Sequence, residues 1–179
     1  IVDGKGIGDP TEYALLEMFR NIQVLPESYL GKMGVHEDAL RNVMCRMEEV
    51  PFDSDRKLMS TKYYIHGVPT ILTKGAVDVL LQRTDAVWTE NGVVPLNMEE
   101  QNRIQLQNQK YSEQGLRVLA FAYREVSDIT ELTFDHEYHL TFLGLIAMMD
   151  PPRPESKEAV TTCIKAGIRP VMITGDHIL

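Results

Sequence analysis

The chain has 179 residues, of which 44% are hydrophobic and 25% are charged, enough for one globular domain or one domain plus part of a second. It contains no run of 18 apolar residues, and its net charge of −8 argues against a general nucleic-acid binder, which needs a basic face. We therefore expect no direct contact with a membrane and no nucleic-acid partner.

The ligand types that bind metals are sparse in this sequence. Cys45 and Cys163 lie far apart and match no metal-binding spacing, so we expect free thiols. His136 and His139 flank Glu137 without a third ligand at a telling distance, and we expect both histidines at the surface. The sequence predicts no metal site.

The first predicted helix starts after Asp9-Pro10, where Asp9 can cap it and Pro10 fits its first position. Its apolar residues recur at helical spacing. Glu12 lies in the first turn, where a carboxylate can simply complement the helix dipole. The residues ahead of this helix resemble the tail of a truncated segment, and a second helix is predicted from His36 to about Arg46.

Residues 50–60 predict two strands joined by a charged turn. Asp53, Ser54 and Asp55 are turn formers, and the second strand continues to Ile65. Phe52 lies within a few residues of two cations, Arg56 and Lys57. An aromatic ring beside cations suits a ligand with a flat base and phosphates. The alternative is a core phenylalanine beside a solvated turn.

A short strand over 70–73 leads through Lys74-Gly75 into a helix predicted over 76–83. A strand, a glycine and a helix N-terminus often form an anion site, although the sequence lacks a Walker A motif. Arg117 lies near one end of an apolar strand over 116–124. Its side chain either reaches the sheet edge or extends into water.

The rest of the chain predicts elements of two kinds. Asn91-Gly92 marks a tight hairpin, Asn97 caps a helix that ends near Gln114, and the apolar run 140–149 predicts a central strand buried on both faces. A proline-rich segment, 150–154, then separates this antiparallel pattern from a helix over 155–166 and a short buried strand over 168–173. Two bodies joined by a stiff linker are predicted.

Several motifs in this order resemble the P-type cation-transporting ATPases, in particular the type II pumps that include calcium-transporting ATPases. They are Gly8-Asp9-Pro10-Thr11-Glu12, the segment 52–60, Lys74-Gly75-Ala76, the segment 116–120, Asp150-Pro151-Pro152-Arg153, the segment 167–169 and Met172-Ile173-Thr174-Gly175-Asp176. The resemblance covers nearly the whole chain. It implies an α+β fold with a mainly antiparallel sheet flanked by helices. Residues 1–149 would form a nucleotide-binding domain that is truncated at its N-terminus. A hinge over 150–154 and an incomplete α/β piece of a Rossmann-like phosphorylation domain over 155–179 would follow.

The resemblance also implies ATP as ligand, with Mg²⁺ accompanying the nucleotide. Phe52 would stack on adenine, and Glu12 would contact the adenine amino group directly or through water. Lys57 and Lys74, with Gly75 beside the latter, would line the cleft, Arg117 would reach toward the phosphates and Leu119 would pack nearby. Thr174, Gly175 and Asp176 would lie near the transferred phosphate. Ser54 stands where animal calcium pumps have arginine, so we expect one phosphate contact fewer and weaker affinity.

The family's Asp-Lys-Thr-Gly-Thr phosphorylation motif does not occur in this sequence. Without its acceptor aspartate no aspartyl-phosphate forms, so we expect the isolated chain to bind ATP without turning it over. Its partners would be the remaining phosphorylation, actuator and transmembrane domains of a parent pump, of which the chain would be a cytoplasmic part. Calcium as the transported ion is favoured by resemblance alone.

Two alternatives remain open at this point. A haloacid-dehalogenase-type hydrolase would share the Thr-Gly-Asp-bearing fold, but it needs a nucleophilic aspartate at a strand end ahead of a helix. The Asp-x-Asp pattern here, Asp53-Ser54-Asp55, is predicted in a hairpin turn. The other alternative is an interaction domain without nucleotide. As a piece of another domain's sheet without its neighbouring strands, segment 155–179 is expected to pack loosely on the main body or on another copy of the chain.

Overall fold

A computed structural model of the chain describes residues 10–21, 44–127, 131–149 and 153–171. These ranges contain helices α1 (Pro10–Asn21), α2 (Val77–Leu81), α3 (Met98–Glu113) and α4 (Pro154–Lys165), and a 3₁₀ turn at Phe134–His136. The strands are β1 (Arg46–Asp53), β2 (Leu58–Ile65), β3 (Val68–Gly75), β4 (Thr84–Thr89), β5 (Gly92–Pro95), β6 (Arg117–Glu125) and β7 (Leu140–Met148). None of the helices described is long and apolar enough to span a bilayer.

The seven strands form one sheet in the order β1-β2-β3-β6-β7-β4-β5. Every neighbouring pair is antiparallel except β4 and β7, which are parallel. The predicted α+β architecture, a mainly antiparallel sheet with flanking helices, is confirmed. Strand β7 pairs on both edges, as predicted for a central strand.

The sheet packs its main core on one face, against helices α2 and α3. Leu58, Ala120, Leu140 and Phe142 from the strands meet helix residues that include Leu80 and Ile104. Because side chains alternate between the faces of a strand, the residues next to these point the other way. That opposite face carries Met59, Lys74 and Phe121, which lie opposite one another on β2, β3 and β6.

Local turn chemistry follows the sequence closely. The Asp53 carboxylate accepts hydrogen bonds from the amides of Asp55 and Arg56 at 3.0 and 2.9 Å, which confirms the predicted turn. The Asn97 side chain accepts from the Glu100 amide at 2.8 Å and caps α3. Gly115, with φ of 73°, ends that helix in the left-handed region.

Two predictions about regular structure are wrong in part. Arg46 lies in β1 rather than at the end of a helix, because it pairs with Tyr63 of β2; residues 36–43 lie outside the described ranges. Residues 168–171 form no strand, and Ile168 and Val171 are 59% and 76% exposed. An apolar segment becomes a strand only where a neighbouring strand takes up its backbone hydrogen bonds.

The central strand β7 is also less covered than predicted. Leu140 and Phe142 are buried, but residues 144–148 are half-buried and Leu143 is exposed. Helix α4 confirms the helix predicted there and begins at Pro154, with Val160 and Ile164 exposed. The apolar side chains of the C-terminal segment are therefore largely open to solvent over 155–171.

Candidate functional site

A cavity of about 650 Å³ lies between helix α1 and the sheet face opposite the core. Its lining is mostly apolar: Leu15, Leu16 and Phe19 come from α1, and Met59, Tyr63, Leu72, Phe121 and Leu143 come from the sheet. Glu12, Arg46 and Lys74 add charged groups to this lining. A concave, largely apolar site with a few polar groups is the usual form of a small-molecule site.

The structure brings Glu12 and Lys74 together on the cavity wall. The Lys74 ammonium donates to the Glu12 carboxylate, and the two side chains form an ion pair. Lys74 is held on this face by β3, between its cross-strand neighbours Met59 and Phe121. Two residues 62 positions apart in sequence thus meet at one point of the site.

Arg117 and Leu119 lie on the same face, further along β6. They precede Phe121 by four and two residues, so strand alternation places all three side chains on one side of the sheet. The guanidinium of Arg117 is exposed and donates through Nη1 to the Thr11 hydroxyl at 3.2 Å. Thr11 adjoins Glu12, so Arg117 lies beside the start of α1, although it does not line the cavity itself.

Phe52 is at the surface, with 62% of its area exposed. The interpretation of this residue as a core phenylalanine is therefore wrong. The register of β1 against β2 shifts between Val50 and Asp53, so that Pro51 and Phe52 both face Met59. Phe52 thus lies beside a cavity-lining residue, while its own ring is outside the cavity.

Lys57 and Gly75 meet through their main chains. The Lys57 carbonyl oxygen accepts from the Ala76 amide at 3.1 Å, and Lys57 takes a left-handed conformation with φ of 56°. A Cβ added to Gly75 would overlap that same oxygen. The glycine therefore permits the β1–β2 turn to approach the end of β3. Helix α2, which follows this close contact, has five residues.

The sequence matches the family described as P-type ATPase, cytoplasmic domain N, over residues 3–155. The chain belongs to this family. The resemblance inferred from the motifs is thereby confirmed, and the antiparallel sheet with flanking helices is the N-domain fold.

Curated relatives of this N domain are calcium- and cation-transporting ATPases. Calcium-transporting ATPase 1 of Lactococcus lactis is 43% identical over 98% of this chain and 19% of that protein. Calcium-transporting ATPase 1 of Bacillus cereus is 42% identical over 95% of the chain and 18% of that protein. Cation-transporting ATPase pma1 of Synechocystis is 40% identical over 96% and 18%, respectively. The chain spans about a fifth of the length of these relatives.

Sequence reasoning missed one buried ionic cluster of the N domain. Glu137 is fully buried, and its carboxylate binds the guanidinium groups of Arg56 and Arg83. The sequence predicts Arg56 as a cation beside Phe52, whereas the structure shows it bound to Glu137 on the core side of the sheet. No local signal marks this pairing, because the residues are 81 and 54 positions apart and a charged residue in a loop is normally solvated.

The two histidines beside Glu137 have different surroundings. His139 is exposed, as predicted, and its Nδ1 lies 2.6 Å from an Asp85 carboxylate oxygen. His136 is half-buried, with Nδ1 3.0 Å from the Thr133 hydroxyl, so it is less exposed than predicted. Within the described ranges no three histidine, cysteine or acidic residues are grouped as a metal would require.

A second ionic contact joins β1 to the 131–137 segment of the N domain. Glu48 accepts a hydrogen bond from the buried Lys62 ammonium and another, at 2.6 Å, from the Leu132 amide. The Lys62 hydrogen bond, followed by that of the Leu132 amide, lowers the pKa of Glu48 below its usual 4.5. Thr174, Gly175 and Asp176, assigned by resemblance to the phosphorylation domain, lie outside the described residues.

Proposed function

We propose that the chain is the ATP-binding part of an ATP-driven cation pump. The observation that supports this most is that Glu12 of α1 lies close to Lys74 and Arg117 of the sheet, beside a mostly apolar cavity, in a chain of this family. The purine would bind at the apolar surface, and the triphosphate would bind to the cationic side chains. Mg²⁺ would arrive bound to the phosphates.

Each residue has a role that its position makes physically coherent. The exposed ring of Phe52 is free of the core and so has a face open for stacking on adenine. Glu12 would accept a hydrogen bond from the adenine amino group, and Leu119 would pack against the nucleotide. Lys74, Lys57 and Arg117 would share the phosphate charge, and Gly75 would allow the two lysine-bearing segments to approach each other.

The chemistry of phosphoryl transfer would belong to the parent protein. The acceptor aspartate motif is missing from these 179 residues, so we propose that the chain alone neither becomes phosphorylated nor hydrolyses ATP. Its partners would be the phosphorylation, actuator and transmembrane domains of the pump, and it would face the cytoplasm. Calcium is the ion named for two of the relatives above, and the third is named only as a cation transporter.

A haloacid-dehalogenase-type role has less support. Asp53 ends strand β1, but a hairpin turn and a second antiparallel strand follow it rather than a helix. Its carboxylate is already bound to the amides of Asp55 and Arg56. An aspartate in that arrangement lacks the surroundings of a covalent nucleophile.

Titration calorimetry with ATP and Mg²⁺ tests the proposal on the chain and on two variants, Phe52→Ala and Lys74→Ala. Stacking on an aromatic ring is worth about 1–3 kcal/mol, and exposed charge pairs add little. We expect a Kd from high micromolar to millimolar, roughly −4 to −6 kcal/mol, which both substitutions weaken.

Trp88→Ala is the matched control, because this aromatic side chain is also exposed but lies on β4, away from the cavity lining. It should leave the affinity for ATP unchanged. Binding that neither Phe52→Ala nor Lys74→Ala alters would remove the assigned site. Complete absence of binding would favour the interaction-domain alternative, and a nanomolar Kd would contradict binding through one stacking contact and exposed charge pairs.

A further inference from the structure

We propose that Glu137 is a positioning residue for the nucleotide site: through Arg56 it fixes the β1–β2 turn that carries Phe52 and Lys57. The role in binding rests on the proposed function, whereas the geometric role does not. Glu137 lies on the core side of the sheet and would not touch the nucleotide itself.

The carboxylate of Glu137 is a buried junction of three elements. Its Oε1 accepts from Arg56 Nη1 and from the Ser60 hydroxyl, the latter at 2.6 Å, and its Oε2 accepts from Arg83 Nη1 at 3.3 Å. Ser60 in turn lies 2.9 Å from the Thr73 hydroxyl, both side chains being buried. Removing one partner of a buried charge cluster leaves the others uncompensated, so the cluster resists rearrangement.

Arg56 links the buried carboxylate of Glu137 to the backbone of the turn. Its second terminal nitrogen, Nη2, donates to the Pro51 carbonyl oxygen at 2.5 Å, and its guanidinium carbon lies 5.0 Å from the centre of the Phe134 ring. Pro51 is bonded directly to Phe52. A planar guanidinium with several fixed donors can bind both acceptors at once, which a lysine ammonium on a flexible stem does less well.

The exposed ring of Phe52 gains little support from packing of its own. With 62% of its area in solvent, its position depends chiefly on the backbone that bears it. The Asp53 carboxylate shapes the turn internally, but it does not connect the turn to the body of the domain. The contacts of Glu137 with Arg56, and of the Lys57 carbonyl with Ala76, make that connection.

Arg83 supplies a matched control, because it binds the other oxygen of the same carboxylate from the junction between α2 and β4. Arg56→Lys and Arg83→Lys each keep the charge and remove one guanidinium from Glu137. If the carboxylate serves stability alone, both substitutions should have the same consequences. If it positions the turn, only Arg56→Lys should disturb residue 52.

The experiment combines ¹⁹F NMR with calorimetry. The five phenylalanines are replaced by 4-fluorophenylalanine, and the resonance of position 52 is assigned with Phe52→Leu. We expect Arg56→Lys and Glu137→Gln to shift or broaden that resonance and to weaken ATP binding about tenfold, the scale of one lost charge-assisted hydrogen bond. Arg83→Lys should lower the melting temperature and leave both readings unchanged.

Two results would overturn the proposal. One is a position-52 resonance unchanged by Arg56→Lys, and the other is an equal change in Arg56→Lys and Arg83→Lys. Should Glu137→Gln fail to fold by circular dichroism, Arg56→Lys decides the matter alone. If the unsubstituted chain binds no ATP, the proposed function fails, while the fluorine comparison still decides whether Glu137 positions residue 52.

Discussion

Gly75 lies directly against the main chain of Lys57. A Cβ on Gly75 would overlap the Lys57 carbonyl oxygen and come within 2.7 Å of Leu58 Cδ2. The same carbonyl accepts from the amide of Ala76, which follows Gly75. Two segments that each carry a candidate phosphate-binding lysine therefore pack so closely that position 75 has no room for a side chain.

Gly75→Ala should consequently destabilise the fold. The new methyl group meets backbone rather than a flexible side chain, so relief requires the turn to move, at a cost of about 1–3 kcal/mol. Urea unfolding followed by circular dichroism measures the change. Gly144→Ala is the control: a Cβ there meets nothing within 4 Å, and we expect a change within about 0.5 kcal/mol. Equal unfolding midpoints for the two variants would refute the packing explanation.

The parts of the fold that the sequence predicts are those governed by neighbouring residues. The Asp53 turn, the Asn97 cap and the left-handed Gly115 each depend on contacts within a few positions, and all three are confirmed. The strands of the hairpins follow from the same local rules. The pairing of β4 with β7 in parallel depends on the whole topology and had no local signal.

The candidate site divides in the same way. Residue types suited to a nucleotide could be recognised one by one, but the ion pair of Lys74 with Glu12 depends on how α1 lies on the sheet. The burial of Glu137 depends on two arginines distant in sequence. Whether an apolar segment such as 168–171 becomes a strand depends on an available partner strand.

Ser54→Arg should strengthen ATP binding. Ser54 is exposed in the turn that follows Phe52, so an arginine side chain there can extend toward bound phosphates without displacing packed atoms. An exposed charge contact is worth up to about 1 kcal/mol, roughly a fivefold decrease in Kd. Calorimetry should show this gain fading as salt is added. Gln82→Arg adds the same charge at an exposed position outside the cavity lining and should change Kd far less.

Acid should loosen the contact between β1 and the 131–137 segment. Because the pKa of Glu48 is lowered in the folded chain, its stabilising contribution is complete above the usual value of 4.5 and is lost as the pH falls through the lower, folded value. Unfolding free energies measured from pH 6 down to 3 should thus fall more steeply for the unsubstituted chain than for Glu48→Gln. Glu90→Gln, at an exposed site, should retain the steeper profile.

Glu12→Ala should reduce the preference for adenine more than it reduces nucleotide binding itself. A carboxylate can accept from the amino group of ATP but opposes the carbonyl oxygen at the same position of ITP, so the unsubstituted chain should favour ATP. Loss of one charged hydrogen bond corresponds to about 1.5 kcal/mol, close to tenfold.

The ratio of the ATP and ITP dissociation constants isolates this contact. Removing Glu12 also releases Lys74 from its ion pair, which strengthens the hold on phosphate, but that gain is common to both nucleotides and cancels in the ratio. Glu17→Ala removes the same charge from an exposed position of the same helix and should leave the ratio unchanged. A ratio that Glu12→Ala leaves unchanged would mean that Glu12 positions Lys74 and does not contact the adenine amino group.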